Sequence, residues 1–182
     1  MRKYINTPGI LLLFILIGAA AVRLYGLASE SLWIDEALSV QTAKNILTWL
    51  TDVNLYLDKC MERNPPFYFI FLHYWMLLFG SSEFSIRLPS VIFGILSVYT
   101  IYNVTALLYD RRSALTASFI AAFTISFVYY SQEARPYGLL ILMSVLSYLF
   151  FVKAYAENNY FYRVLWVITN ICLLYTSPSP RD

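Results

Sequence analysis

The sequence predicts an all-α integral membrane protein, and its composition is the main reason. Of 182 residues, 59% are apolar and 18% aromatic, whereas only 13% are charged. Soluble domains carry about 25% charged residues, so a soluble globular domain is excluded. The 13 basic residues are spread along the chain and the net charge is only +2, which argues against nucleic-acid binding. With two cysteines, Cys60 and Cys172, no disulfide framework or metal knuckle is expected.

Apolar runs follow one another along the chain and predict its membrane spans. A helix rises 1.5 Å per residue, so about 20 residues cross the ~30 Å hydrocarbon core. Runs of about this length lie at 8–27, 88–109, 113–130 and 138–156, and a further one begins at 164. These runs predict one transmembrane domain over residues 1–171.

The first run is expected to be an uncleaved anchor with a cytoplasmic N-terminus. Arg2 and Lys3 precede it, and basic residues favour the cytoplasmic side. The alanines at 19–21 could form a signal-peptidase site. However, the apolar run continues through Val22 and Leu24, which favours the anchor.

The most polar stretch, residues 28–64, contains a predicted amphipathic helix. Its apolar side chains recur at steps of three or four, which is typical of such a helix. They are Trp33, Ala37, Val40, Ala43, Ile46, Leu47 and Leu50. We expect this helix at the membrane interface, with its apolar face on lipid or on other spans.

The aromatic segment 66–79 decides the topology, because its 14 residues reach only about 21 Å as a helix. If it crosses, Arg111 and Arg112 lie outside. If it lies at the interface, this doublet is cytoplasmic, and the charged residues flanking the other span ends face outside together. These are Asp35, Glu36, Arg87, Glu133 and Arg135. Because the positive-inside rule applies best to short loops, the doublet favours the non-crossing topology.

Adjacent carboxylates follow the first span at Asp35 and Glu36. On a helix they point about 100° apart, so one could act as a base while the other binds a cation or an arginine. The alternative is a favourable interaction of acidic residues with a helix N-terminus.

Glu133 and Arg135 lie between two apolar runs, where charges are costly and tend to mark functional sites. The alternative is an ordinary turn with its own ion pair. Arg87 follows Glu83 by four residues, and that spacing also fits a weak surface pair. His73, alone among apolar residues, is expected to be a packing residue.

Together these residues favour chemistry at a phosphate leaving group. A carboxylate removes the proton of an acceptor, and arginines hold the phosphate with paired hydrogen bonds. No metal-ligand cluster, glycine-rich phosphate loop or nucleophile elbow is found in the sequence.

Several strings resemble the bacterial glycosyltransferase family 39, which is related to protein O-mannosyltransferases and lipid A aminoarabinose transferases. They occur in order over residues 20–155, at 23–27 (RLYGL), 32–37 (LWIDEA), 64–69 (NPPFYF), 79–80 (FG), 82–90 (SEFSIRLPS) and 130–137 (YSQEARPY). The resemblance implies a GT-C type multi-span helical bundle with an external first loop of interfacial helices. It also implies a site at the external face of a bacterial plasma membrane.

The resemblance further implies transfer of a sugar, with inversion, from a polyprenyl-phosphate donor to an acceptor glycan, lipid or protein. Asp35 matches the catalytic aspartate of the first loop, and Glu36 completes that motif. Glu133 and Arg135 match a second external loop near the donor phosphate, with Arg87 as a further candidate. Aminoarabinose transferases carry a lysine where this chain has Asn64. Some members of the wider fold use a divalent cation, which this sequence does not reveal.

The last 11 residues, 172–182, resemble translated sequencing adapter. We therefore expect native sequence to stop near Ile171 and the chain to be the inactive N-terminal part of a longer protein. The main rival function is a transporter or flippase for a lipid-linked substrate, for which Glu133 and Arg135 would be pathway charges. A non-catalytic membrane scaffold is a second rival.

Overall fold

The computed structural model describes residues 7–51 and 66–176, and every regular element in these ranges is a helix. The all-α class expected from the sequence is confirmed. The helices, numbered here in chain order, are α1 (Thr7–Leu24), α2 (Ile34–Trp49), α3 (Phe67–Phe79), α4 (Glu83–Leu108), α5 (Arg111–Phe123), α6 (Ile125–Ser131), α7 (Tyr137–Glu157) and α8 (Tyr160–Leu174).

Two described helices, α4 and α7, are long and apolar enough to cross a membrane. Their lengths are 26 and 21 residues, and an 18-residue stretch of each has a mean hydropathy of 1.9. Helices α5 and α6 together form a third candidate, whereas α1, α3 and α8 are apolar but shorter. The crossing of the bilayer by α1 and α8 thus stays a prediction.

The continuous span expected at 113–130 is broken in the structure. Helix α5 ends at Phe123, Thr124 adopts an extended conformation, and α6 leaves at an angle of 59°. The last carbonyls of a helix lack partners within it. One of them, at Ala122, accepts a hydrogen bond of 2.8 Å from Arg23 Nη1, so the break is stabilised by a side chain of α1.

The bundle has two chemically different ends. At one, which we call the basic end, Gly9 of α1 and Tyr102 of α4 line a cavity with Arg111 and Lys153. At the other, which we call the site end, Arg87 near the start of α4 donates a 2.8 Å hydrogen bond to the carbonyl of Leu27, just after α1. Helices α1 and α4 are therefore antiparallel, and the connection between them starts and finishes at the site end.

Helices α2 and α3 pack on each other beside the site end. His73 Nδ1 lies 2.8 Å from the Ala43 carbonyl, and the core between them includes Ile46, Phe69 and Leu72. This arrangement agrees with the expected packing role of His73. Both helices belong to the connection between α1 and α4, and α3 contacts the first turns of α4 through Trp75 and Ser85.

A proline explains how α3 is fixed to α4. Pro89 has no N–H, so the carbonyl of Ser85, four residues earlier, loses its partner within the helix. The indole Nε1 of Trp75 donates to this carbonyl at 2.9 Å, and the Ser85 hydroxyl donates to Phe79 at 3.1 Å. These two hydrogen bonds attach the C-terminal half of α3 to the first turn of α4.

The buried face of α2 includes only part of the predicted apolar stripe. Val40, Ala43 and Ile46 are buried, but the other apolar positions of the predicted stripe are mostly exposed: Trp33, Ala37, Leu47 and Leu50. The side chain of Glu36 faces inward, because its carboxylate pairs with Arg87.

Some residues named in the sequence analysis lie outside the described ranges. They are Arg2, Lys3, Cys60, Asn64 and the tail from 177.

Candidate active site

A buried ion pair joins α2 to α4. Arg87 Nε and Nη2 donate to the two oxygens of Glu36 at 2.9 and 2.6 Å. The two side chains are only 8% and 1% exposed. This paired geometry, called the clamp below, is the strong arrangement of guanidinium and carboxylate. The weak surface pair with Glu83 that the spacing allowed is therefore not the principal contact of Arg87.

Every N–H of the Arg87 guanidinium is used. Besides the two bonds to Glu36, Nη1 donates to the carbonyls of Leu27 and Glu30 at 2.8 and 2.9 Å, and Nη2 donates to Ser31 at 3.3 Å. Since an arginine has five such donors, none remains for a phosphate in this arrangement. Arg87 instead shapes the turn that follows α1.

The clamp also holds the loop between α6 and α7. Glu36 Oε1 accepts a hydrogen bond of 2.8 Å from the backbone N–H of Ala134, which is fully buried. Residues from three distant parts of the chain thus meet on one carboxylate. As a result, Glu36 is at the centre of the site but is not accessible to a substrate.

Asp35 and Arg135 form a second, more open pair. Arg135 Nη1 lies 3.7 Å from Asp35 Oδ2 and 3.4 Å from the Asp35 carbonyl. The Asp35 side chain is 41% exposed, whereas that of Arg135 is 10% exposed. The guanidinium also lies over the ring of Tyr137, 5.4 Å from its centroid. Of the predicted site residues, Asp35 has an accessible carboxylate, and Arg135 is its largely buried neighbour.

Glu133 is buried two residues before Arg135 and lines a separate cavity. Burial raises the pKa of the Glu133 carboxyl, a hydrogen bond from Tyr129 lowers it, and the negative charge of Glu36 raises it. The net shift is upward. Glu133 therefore differs from the accessible Asp35, although both carboxylates lie at the site end.

The cavity beside the clamp has a volume of about 500 Å³. The turn after α1 and the end of α6 form its walls, and Glu36 and Arg87 contribute to its lining. Neither Asp35 nor Arg135 is among the described residues that line it. The clamp thus touches the cavity, while the open Asp35–Arg135 pair lies outside it.

Sequence reasoning missed Arg23 as part of this framework. Its side chain is fully buried, and Nε donates to Ser131 Oγ at 3.2 Å. Next to it, Gln132 Nε2 donates to the carbonyls of Arg23 and Tyr25 at 3.2 and 3.1 Å, at the end of α1. An arginine within an apolar run is costly unless paired, and this cost was the signal available from the sequence.

The described residues offer no donor set for a divalent cation. In residues 7–51 and 66–176, no three histidine, cysteine, aspartate or glutamate side chains come together as metal ligands. Three of the acidic groups already interact with arginine or tyrosine.

The helical bundle with two to three candidate spans, and charged residues at both of its ends, defines an integral membrane protein. Residues 63–176 match the family model described as dolichyl-phosphate-mannose-protein mannosyltransferase. Because the match covers more than half of the chain, the chain belongs to this family of membrane glycosyltransferases, and the expected family relationship is confirmed. No curated protein and no solved structure matches. The matched segment contains Arg87, Glu133 and Arg135 but begins after Asp35 and Glu36.

Proposed function

We propose that the protein transfers a sugar from a polyprenyl-phosphate donor to an acceptor hydroxyl, with Asp35 as general base. The observation that carries this proposal is the proximity of the half-exposed Asp35 carboxylate to Arg135, at 3.7 Å. A base and a phosphate ligand are the two groups that such a transfer requires side by side. Membership of a mannosyltransferase family supports mannose as the sugar.

The proposed reaction is a single displacement. Asp35 Oδ removes the proton of the acceptor hydroxyl, and the acceptor oxygen forms a bond to C1 of the sugar. The bond between C1 and the phosphate oxygen breaks, and the polyprenyl phosphate leaves with the electron pair. Attack opposite the leaving group inverts C1. The guanidinium of Arg135 stabilises the charge that develops on the phosphate.

The proposed role of the clamp is to position the reacting side chains, Asp35 and Arg135. Glu36 and Arg87 are buried and bonded to each other, so we propose that they fix the neighbouring Asp35 rather than touch the substrate. Glu36 also accepts from Ala134, the residue before Arg135. One carboxylate therefore sets the positions of both the proposed base and the proposed phosphate ligand.

We further propose that the site end faces outside the cell. The opposite end contains Arg111 and Lys153 around one cavity, and short basic loops favour the cytoplasm. With α1, α4, the broken α5–α6 pair and α7 crossing in turn, the N-terminus would be cytoplasmic. We also propose that this membrane is the bacterial plasma membrane and that residues 1–171 belong to one transmembrane domain.

The deciding experiment is a transfer assay with full-length protein in membranes, using a radiolabelled polyprenyl-phosphate mannose. We expect Asp35→Asn to lower transfer by about 10²–10⁴-fold while insertion and thermal stability are unchanged, since general-base catalysis contributes a factor of this size. Asp110→Asn is the matched control. Asp110 is an exposed N-cap between α4 and α5, outside the site end, so its loss should leave transfer unchanged.

Full activity of the Asp35→Asn protein would refute the base assignment. Movement of the intact lipid-linked sugar across the bilayer, with no transfer by the wild-type protein, would instead support a transporter or flippase. Arg135→Lys separates the roles further. It keeps the charge but loses the planar guanidinium, so we expect a weaker affinity for the donor.

A further inference from the structure

We infer that the cavity beside the clamp binds a sugar ring, neutral or amino-bearing, and excludes the donor phosphate. This inference rests on the proposed transfer reaction and adds to it the place where a sugar is recognised. The cavity, of about 500 Å³, lies at the site end without containing Asp35 or Arg135 in its described lining. Its volume falls within the range of small-molecule sites.

The charge of the lining argues against an anion. Three glutamates line the cavity, at positions 30, 36 and 133, whereas Arg87 is the single basic group among its described lining residues. All five N–H groups of Arg87 donate to protein oxygens. A phosphate would thus meet acidic groups and no available guanidinium donor, and its desolvation would not be compensated.

The remaining lining suits a hydroxyl-rich ring. The cavity is also lined by three aromatic side chains, those of Tyr25, Trp33 and Tyr129. Trp33 and Tyr129 are about half exposed, and Tyr25 is mostly exposed. Aromatic rings combine an apolar face with a polar edge, and can cover the C–H face of a sugar. The carboxylates of Glu30 and Glu133 can accept hydrogen bonds from its hydroxyls or from an amino group.

Glu133 gives the cavity a specific polar contact. It is buried, it lines the cavity, and it interacts with Tyr129 from α6. This pair is adjacent to Ala134, whose N–H is bonded to Glu36. The cavity and Arg135 are thus connected by one short loop, residues 133–135.

The test measures binding directly, without transfer. The chain is purified in detergent micelles and titrated with methyl α-mannoside, methyl α-glucosaminide and inorganic phosphate, while tryptophan fluorescence is followed. We expect a saturable change with at least one glycoside and none with phosphate. Trp33→Phe should remove the change, because the other tryptophans are not among the residues that line the cavity.

Matched tyrosine variants locate the bound ring. Tyr129 and Tyr99 are similarly exposed, at 53% and 46%, but Tyr99 lines the cavity at the basic end. We expect Tyr129→Ala, which removes the ring, to weaken glycoside binding by at least five-fold and Tyr99→Ala to leave it unchanged. Equal effects of the two variants, no glycoside response, or saturable binding of phosphate that Trp33→Phe removes would each overturn the inference.

Competition identifies the source of the sugar. If the ring belongs to the donor, polyprenyl-phosphate mannose displaces the glycoside and polyprenyl phosphate alone does not. If it belongs to an acceptor glycan, neither lipid displaces it. Because binding is measured apart from transfer, loss of the glycoside signal refutes only the cavity assignment, whereas normal transfer by Asp35→Asn refutes only the proposed base.

Discussion

Glu36 and Arg87 are 51 residues apart in sequence, yet each carboxylate oxygen of Glu36 accepts one N–H of the same guanidinium, at 2.9 and 2.6 Å. The pair is almost fully removed from solvent. Its geometry joins the first loop to α4, and the Ala134 N–H adds the loop before α7. The proposed site is thus assembled around an ion pair that does not itself meet the substrate.

Removal of one partner of the clamp should be strongly destabilising. We expect Glu36→Ala or Arg87→Ala to lower the free energy of unfolding by about 3–5 kcal/mol, because each leaves an uncompensated buried charge. The measurement is denaturant unfolding in mixed micelles. In a double-mutant cycle, the combined variant should cost less than the sum of the two single variants.

Glu83 provides the control for that cycle, because it is the acidic residue four positions before Arg87. We expect Glu83→Ala to change stability by less than about 0.5 kcal/mol, since it is not the clamp partner. Additive effects of Glu36→Ala and Arg87→Ala would contradict the clamp.

Gly94 is required where α4 passes Arg23. A Cβ at this position would lie 2.8 Å from Ser131 Cβ and 2.9 Å from Arg23 Nε, and closer still to Ser131 Oγ. We expect Gly94→Ala to destabilise the protein by about 1–3 kcal/mol through overpacking. Thermal unfolding in detergent measures the effect.

Gly138→Ala is the comparison for Gly94→Ala, since both glycines are helical. A Cβ at 138 would meet Ser90 at 3.4 Å, an ordinary contact. Alanine is favoured over glycine in a helix by about 1 kcal/mol, so this variant should be neutral or stabilising. If both variants behaved alike, the close approach at Arg23 would not be the cause.

The buried Glu133 predicts a pH dependence of stability. Its pKa is raised in the folded protein above its ordinary 4.5, so the protonated form is favoured there. Its contribution to stability is fully present below the unfolded pKa and is lost as the pH rises through the folded pKa. We expect the unfolding temperature of the wild-type protein to fall over that range.

Glu133→Gln should flatten this part of the profile, because glutamine does not titrate. Glu157→Gln, at the exposed end of α7, is the control and should keep the wild-type slope. A profile that is unchanged by Glu133→Gln would show that another group is responsible.

Accessible cysteines can test the proposed orientation. In a protein with Cys60 and Cys172 replaced by serine, we expect an impermeant maleimide added outside intact cells to label Ser29→Cys. Tyr109→Cys should react only after permeabilisation. Both positions are exposed, and they lie at opposite ends of α4. Labelling of Tyr109→Cys in intact cells would refute the orientation.

The helices could largely be predicted from the sequence because hydrophobic runs and N-caps are local signals. Ser82 and Asp110 are the N-caps of α4 and α5. Each side chain accepts a hydrogen bond from the backbone N–H three residues later. The break at Thr124 had no such local signal. The hydrogen bond that accompanies it joins Arg23 to the carbonyl of Ala122, and these two residues are 99 positions apart.

The candidate residues were chosen from the sequence and lie together at the site end, but the sequence did not predict their separate contacts. Asp35 and Glu36 are adjacent and chemically similar, so the sequence alone could not distinguish the accessible carboxylate from the buried one. The distinction arises from Arg87, whose five donors are directed at Glu36 and at three carbonyls. Only the three-dimensional structure shows that all five N–H donors of Arg87 are used.

The missing N–H of Pro89 has a practical consequence for protein engineering. The indole of Trp75 binds the carbonyl that this proline leaves open, so the two residues form one joint between α3 and α4. Anyone grafting the α2–α3 segment onto another helical scaffold must transfer a proline to the receiving helix as well. In a continuous helix, a backbone N–H would occupy the corresponding carbonyl. Trp75 of the transplanted segment would then lose its hydrogen-bond acceptor.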